Sequence, residues 1–150
     1  MLNKNSLKTE IRKISDEGFN SFEGFPEDKN ETAERWSEAI KIYSSSIIPY
    51  SLNIGLAKKA MREEIKTNYF IPTVLELSLI KFTQILASGM LPNFNGVPPA
   101  SKLNIESCFL IGFGGGSSEE VAECLSVTID SWFKTGTAIN TTSGGTINWK

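Results

Sequence analysis

Apolar residues recur at steps of three and four along most of this chain, and that period dictates helices that each bury one greasy stripe. The clearest run is Ala33, Trp36, Ile40, Tyr43 and Ile47, with Glu34, Arg35, Glu38 and Lys41 turned the other way. Leu7, Ile11, Ile14, Gly18 and Phe22 keep the same spacing from a cap at Asn5 or Ser6, until Gly24-Phe25-Pro26 ends it. Leu56, Ala60, Met61 and Ile65 predict a third helix from Asn53 to Asn68. Pro72 opens a fourth, at a first-turn position where its missing N–H is harmless. Through Met90 that helix is apolar nearly all round (Val74, Leu75, Leu77, Leu79, Ile80, Phe82, Ile85, Leu86), which predicts a central place in the core. Ser117 and Glu120 form a capping box for a last helix ending near Phe133, with Ala122, Leu125, Ile129, Trp132 and Phe133 as its inner stripe.

The remaining segments lack that period. Leu91 to Lys102 reads as a loop from its prolines, asparagines and glycine, and Cys108 to Phe113 is a short apolar run expected to form a small buried helix. Beyond Gly136 the chain turns to threonine and asparagine around Ser143-Gly144-Gly145, predicting an extended arm or a short β-hairpin. The expected fold is therefore all-α, a bundle of five or six helices over residues 1–135, with a non-helical C-terminal arm over 136–150. At 150 residues roughly 68 to 70% of the unfolded surface is buried on folding, so neither disulfide nor metal is needed to hold it.

The composition excludes several kinds of chemistry. There is no histidine, which removes Ser-His and Cys-His catalysis, His-ligated zinc and the usual general base near neutral pH. A formal charge of −2 is not the basic footprint of a nucleic-acid binder. Val74 to Leu91 is broken by Glu76, Lys81 and Gln84, so no membrane span is expected. Cys108 and Cys124 are too few for a disulfide framework; they read as small inert core residues of a protein kept in a reducing cytoplasm. Gly112-Phe-Gly-Gly-Gly-Ser117 precedes a helix, yet it lacks the lysine of a phosphate loop and is followed by Glu119 and Glu120, so it reads as a hinge or a site of close packing. Ser131-x-x-Lys134 and Lys134-Thr-Gly136 share one lysine, whereas the enzymes that use such motifs draw them from separate elements. The pairs Asp16-Glu17, Glu63-Glu64 and Glu119-Glu120 are adjacent and point apart on a helix. No catalytic residue, metal or cofactor is expected.

Charge is unevenly spread. Residues 1–70 carry 22 charged side chains and residues 71–150 only 10; Phe82 to Ser118 holds just Lys102 and Glu106, and Thr135 to Trp149 none. Loops and tails normally carry solubilising charge, and uncharged surface containing aromatics marks the centres of protein interfaces. The loop from Pro92 to Ser101 and the tail from Gly136 to Trp149 are therefore expected to meet other copies of the chain or other subunits, with Phe94, Val97, Ile139, Ile147 and Trp149 as contact residues. On that view, removal of the tail leaves the helical domain intact.

The stretch from Phe22-Glu-Gly-Phe-Pro-Glu-Asp through Trp36-Ser-Glu-Ala-Ile and Tyr43-Ser-Ser-Ser-Ile-Ile-Pro, with the ending Ile129-Asp-Ser-Trp-Phe-Lys-Thr-Gly-Thr-Ala, resembles small virion-associated proteins of tailed bacteriophages. The resemblance covers most of the chain and carries no catalytic signature. It implies a multi-copy structural component of the head, neck or tail, partnered by itself or by other virion proteins and located in the virion. Two other functions compete: a small-molecule binder or enzyme with a pocket near Gly112 to Ser117, and a phage-encoded binder of a host protein.

Overall fold

The computed structural model describes residues 1–15, 29–68 and 70–150. Among them are six helices: α1 (Lys4–Ser15), α2 (Lys29–Ser44), α3 (Ile54–Thr67), α4 (Pro72–Ser88), α5 (Glu106–Phe113) and α6 (Ser118–Phe133). A small antiparallel sheet accompanies them, built from β1 (Phe94–Val97), β2 (Thr137–Asn140) and β3 (Thr146–Asn148) in that spatial order. The expected helical bundle with a C-terminal hairpin is what forms. The readings at Asp16-Glu17, Gly18, Phe22 and Gly24 to Asp28 lie outside the described residues.

Helical period and caps account for the elements. Ser117 accepts from the Glu120 N–H (3.2 Å) and Glu120 returns a carboxylate to the Ser117 N–H (2.8 Å), so α6 starts where the capping box puts it. Chain neighbours pack in pairs, α2 on α3 and α3 on α4, while α1 lies against both α2 and α6. The buried side chain of Arg35 donates Nη1–H to the Ile14 carbonyl at 2.8 Å, supplying a partner to a carbonyl in the last turn of α1. The stripe predicted for α4 is buried at Val74, Leu75, Leu79, Phe82 and Leu86, but Leu77 and Lys81 reach solvent, so the helix has a wet side.

The core centres on Phe133, whose ring has no exposure and meets Tyr43 edge-on at 5.3 Å, Trp132 at 5.6 Å, Phe82 at 6.3 Å and Trp149 at 6.5 Å. Those contacts join α2, α4, α6 and the C-terminus. Beside them the Tyr43 hydroxyl donates to Asp130 Oδ1 and Lys134 Nζ donates to Asp130 Oδ2, both at 2.8 Å. Burial first, and the Asp130 charge next, push the Tyr43 hydroxyl pKa far above its ordinary value, so it stays a neutral donor.

Three expectations are corrected. Residues 94–97 of the expected loop form β1, because Phe94 to Val97 pair with Asn140 to Thr137 of the tail; the partner lies about forty residues away, out of reach of any local turn signal. The tail is not a separate arm. Trp149 is 1% exposed, its Nε1–H donates to the Thr137 carbonyl (2.8 Å), and Ile48 and Lys150 exchange backbone hydrogen bonds at 2.7 and 3.1 Å. Gly136 makes room for that indole, since a Cβ there would stand 2.5 Å from Trp149 Cδ2. Residues 136–150 thus complete the domain that residues 1–135 begin. Finally, Cys108 and Cys124 are joined in a disulfide. The Gly114 to Gly116 turn folds α5 back on α6 and brings the two Cα atoms to 5.4 Å, within bridging distance, which a spacing of 16 residues does not reveal.

Trp149→Ala should therefore destabilise the protein by about 3–5 kcal/mol, the usual loss for a buried aromatic, and removal of residues 136–150 should unfold it. Urea denaturation followed by circular dichroism checks both; a truncated chain that keeps its helicity and midpoint would show the tail to be dispensable.

Candidate functional site

The five sequence-predicted contact residues do not form one surface. Trp149 is core, and Phe94 is partly buried against it. Val97 and Ile139 remain on the outer face of the sheet, where the register places Asn95, Ile139 and Thr146 side by side and Val97 beside Thr137 and Asn148. That face has no charge. Ile147 aligns instead with Ala138 and Gly96 on the inner face, at the β3 edge, where it keeps about a third of its surface in water. The sheet sits tightly on the end of α4: a Cβ on Gly96 would stand 2.5 Å from the Ala87 carbonyl oxygen.

The stronger candidate is α5, which was expected to be buried. Of its eight residues, Glu-Ser-Cys-Phe-Leu-Ile-Gly-Phe, only Cys108 is. Phe113 is 83% exposed and Leu110 58%, with Ile111 also partly in water, so a helix without a polar face presents carbon to solvent. Two features hold the chain just before it: Leu103 and Ile105 are buried, and the Ile105 N–H donates to Glu76 Oε1 at 3.0 Å.

Alongside α5 the described residues border a cleft of about 620 Å³. Its floor and walls are Ile11 and Ile14 of α1, Trp36 of α2, Phe70, Phe109 and Phe113, and Val121 and Leu125 of α6, with Thr32 and Ser118 as hydroxyl groups near them. Phe70 stacks on Trp36 (5.8 Å) and meets Phe109 edge-on (6.3 Å), which links α5 to the helices across the cleft. Gly112 and Gly116 of the glycine-rich stretch line it too.

The sequence motifs lose their chemical appeal in place. The Ser117 N–H is engaged by the Glu120 carboxylate and the Glu120 N–H by the Ser117 hydroxyl, so a phosphate would meet negative charge and occupied donors at this helix start. Gly115 takes φ +88° and Gly116 packs on Ile111, so the glycines serve the turn and close packing. Lys134 is committed to Asp130, while Ser131 points to solvent. No cluster of three His, Cys, Asp or Glu side chains capable of holding a metal occurs among the described residues, and no helix there is long and apolar enough to cross a membrane.

Charged side chains gather elsewhere, as seams between helices. Lys4 and Lys8 of α1 bind Glu123 of α6 at 2.7 and 2.8 Å, and Lys8 and Arg12 bind Glu119. A shallow hollow bordered by Asn5, Lys8, Thr9, Arg12 and Glu119 runs along this seam, its cations already matched by carboxylates. Hydrogen bonds from Lys4 and then Lys8 hold the Glu123 carboxyl down at about 2, and the Lys8 bond lowers Glu119. The same pairing raises Lys8. No protein-family model, curated protein or solved structure matches this chain.

Because Glu119 and Glu123 titrate lower when folded than their ordinary 4.5, their contribution is complete above that pH and disappears as pH falls toward about 2. The Lys8 contribution, whose sign is opposite, is complete below 10.5 and fades above it. Glu123→Gln should therefore lower the urea midpoint at pH 7 by a small margin that vanishes near pH 2, and the difference should shrink with added salt. A margin independent of pH would show that the carboxylate charge plays no part in docking α1 on α6.

Proposed function

We propose that this chain is a non-enzymatic assembly protein that contacts further copies of itself through α5 and the cleft beside it. The observation that carries this reading is the exposure of Phe113 and Leu110 next to an apolar cleft bordered by described residues. Knob and hole adjacent on one face are self-complementary: a twofold axis brings the α5 of each copy over the cleft of the other. Burying one such side chain fully yields about 1.5–3 kcal/mol, so four from two copies supply a useful driving force. The uncharged outer face of the sheet, with Val97 and Ile139, offers a second contact by which pairs join into larger assemblies. Taken with the sequence resemblance, the role proposed is a multi-copy component of a tailed-bacteriophage particle, located in the virion.

The cleft volume favours a second reading, a small apolar ligand, since about 300–1,000 Å³ is the usual size of ligand sites. Sedimentation equilibrium separates the two. The wild-type chain should associate with rising concentration, and Phe113→Asp should weaken association at least about tenfold while leaving helicity unchanged, because the ring makes little contact with its own domain. A strict monomer at every concentration that takes up one anilinonaphthalene sulfonate per chain would favour the ligand reading instead.

A further inference from the structure

We propose that the Cys108–Cys124 disulfide is a redox-controlled clasp that holds α5 in place as a wall of the cleft. As regulation of the contact surface, this inference rests on the assembly reading; as a statement about α5 itself, it does not.

The attachment of α5 is the starting observation. Cys108 is its one buried side chain, and Ile105 provides no side-chain cap. An isolated helix of eight residues is far below the length at which helices persist in water, so α5 depends on what ties it down. The chain is fixed immediately before it, by buried Leu103 and Ile105 and the Ile105–Glu76 hydrogen bond. It is fixed again immediately after, by the Ser117–Glu120 capping box. Between those two points lie α5 and Gly114, Gly115 and Gly116, with Gly115 at φ +88°. The bridge is the covalent tie across this span. Breaking it frees a short stretch bounded by two anchors, with glycines at one end to absorb rotation, while the Phe133 core is untouched.

One end of the bridge is not fully buried. Cys108 has no exposure, but Cys124 is only partly buried. A dithiol reductant can attack there: its thiolate bonds to Cys124 Sγ, the Cys108–Cys124 bond breaks, and Cys108 leaves as a thiolate that takes a proton from water. The second thiol of the reductant then displaces Cys124, which is protonated in turn. Two electrons and two protons pass to the protein, and the reductant departs as its own disulfide. With α5 released, Phe109, Gly112 and Phe113 no longer wall the cleft, and the knob and the hole are lost together.

Hydrogen exchange on the full-length protein, oxidised and after dithiothreitol, tests the clasp, with sedimentation run on the same samples. On reduction the amides of residues 106–116 should exchange at least about tenfold faster while those of α2 and α4 keep their rates. A Cys108→Ala/Cys124→Ala chain should match the reduced wild type, and self-association should fall in both. The clasp is overturned by equal α5 exchange in the two states. It is also overturned by α4 opening as much as α5, which makes the bridge a staple of the whole fold, or by alkylation of both cysteines in freshly isolated protein without reductant. If α5 loosens on reduction although the oxidised chain is a monomer, the clasp stands and the assembly reading fails; if the oxidised chain associates and reduction changes nothing, the reverse holds.

Discussion

Aromatic rings from α2, α4, α6 and the C-terminal end pack around Phe133 and set how these pieces meet. Phe133 lies at the end of α6, yet ring neighbours come from α2, α4 and the segment after β3. Edge-on and tilted ring contacts are directional, so they fix how these pieces sit as well as burying them. Asp130 stands one helical turn earlier and accepts from Tyr43 on one oxygen and Lys134 on the other. A buried carboxylate left unpaired would be strongly destabilising, which ties the angle between α2 and α6 to the same place. Trp149 seals the cluster, and Gly136 is small so that it can.

From that centre α6 divides the molecule by chemistry. Toward α1 it offers Glu119 and Glu123 to lysine and arginine, an exposed seam that orients the helices more than it stabilises them. Toward α5 it offers Cys124 and apolar Val121 and Leu125. Similar ionic seams join α2 to α3 through Glu34, Lys58 and Arg62, and α3 to α4 through Glu64 and Lys81. The charge of the first half of the chain is therefore used between helices. The second half, short of charge, presents α5 and the outer face of the sheet.

The helices were legible because their signals are local. Period, the proline opening α4 and the capping box of α6 each lie within a few residues of the feature they determine. What escaped was set by distant partners. β1 looks like a loop until Asn140 to Thr137 arrive beside it, and Trp149 looks like an idle tail residue until Gly136 and Phe133 form its socket. The two thiols looked independent because no turn signal tells which face of α6 a short helix will meet. The exposed helix is illegible for another reason: an apolar run in a sequence predicts burial. A helix apolar all round has no side that prefers water, so its exposure depends on how much neighbouring surface remains to cover it.

That geometry bears on the kind of work such a molecule can do. Acid–base and nucleophilic chemistry needs polar groups that converge on one open point. Here Tyr43, Asp130 and Lys134 satisfy one another beside the core, Glu119 and Glu123 are neutralised by α1, and Glu120 caps its own helix. What faces the cleft is carbon, with the Thr32 and Ser118 hydroxyls beside it. On the proposed assembly reading, such a surface acts by being covered: its selectivity would come from the fit of Phe113 and Leu110 into a complementary hollow, and its strength from the apolar area withdrawn from water. Both would require α5 to be held at a fixed angle. The only covalent bond between that helix and the rest of the protein, outside the chain itself, is the one between Cys108 and Cys124.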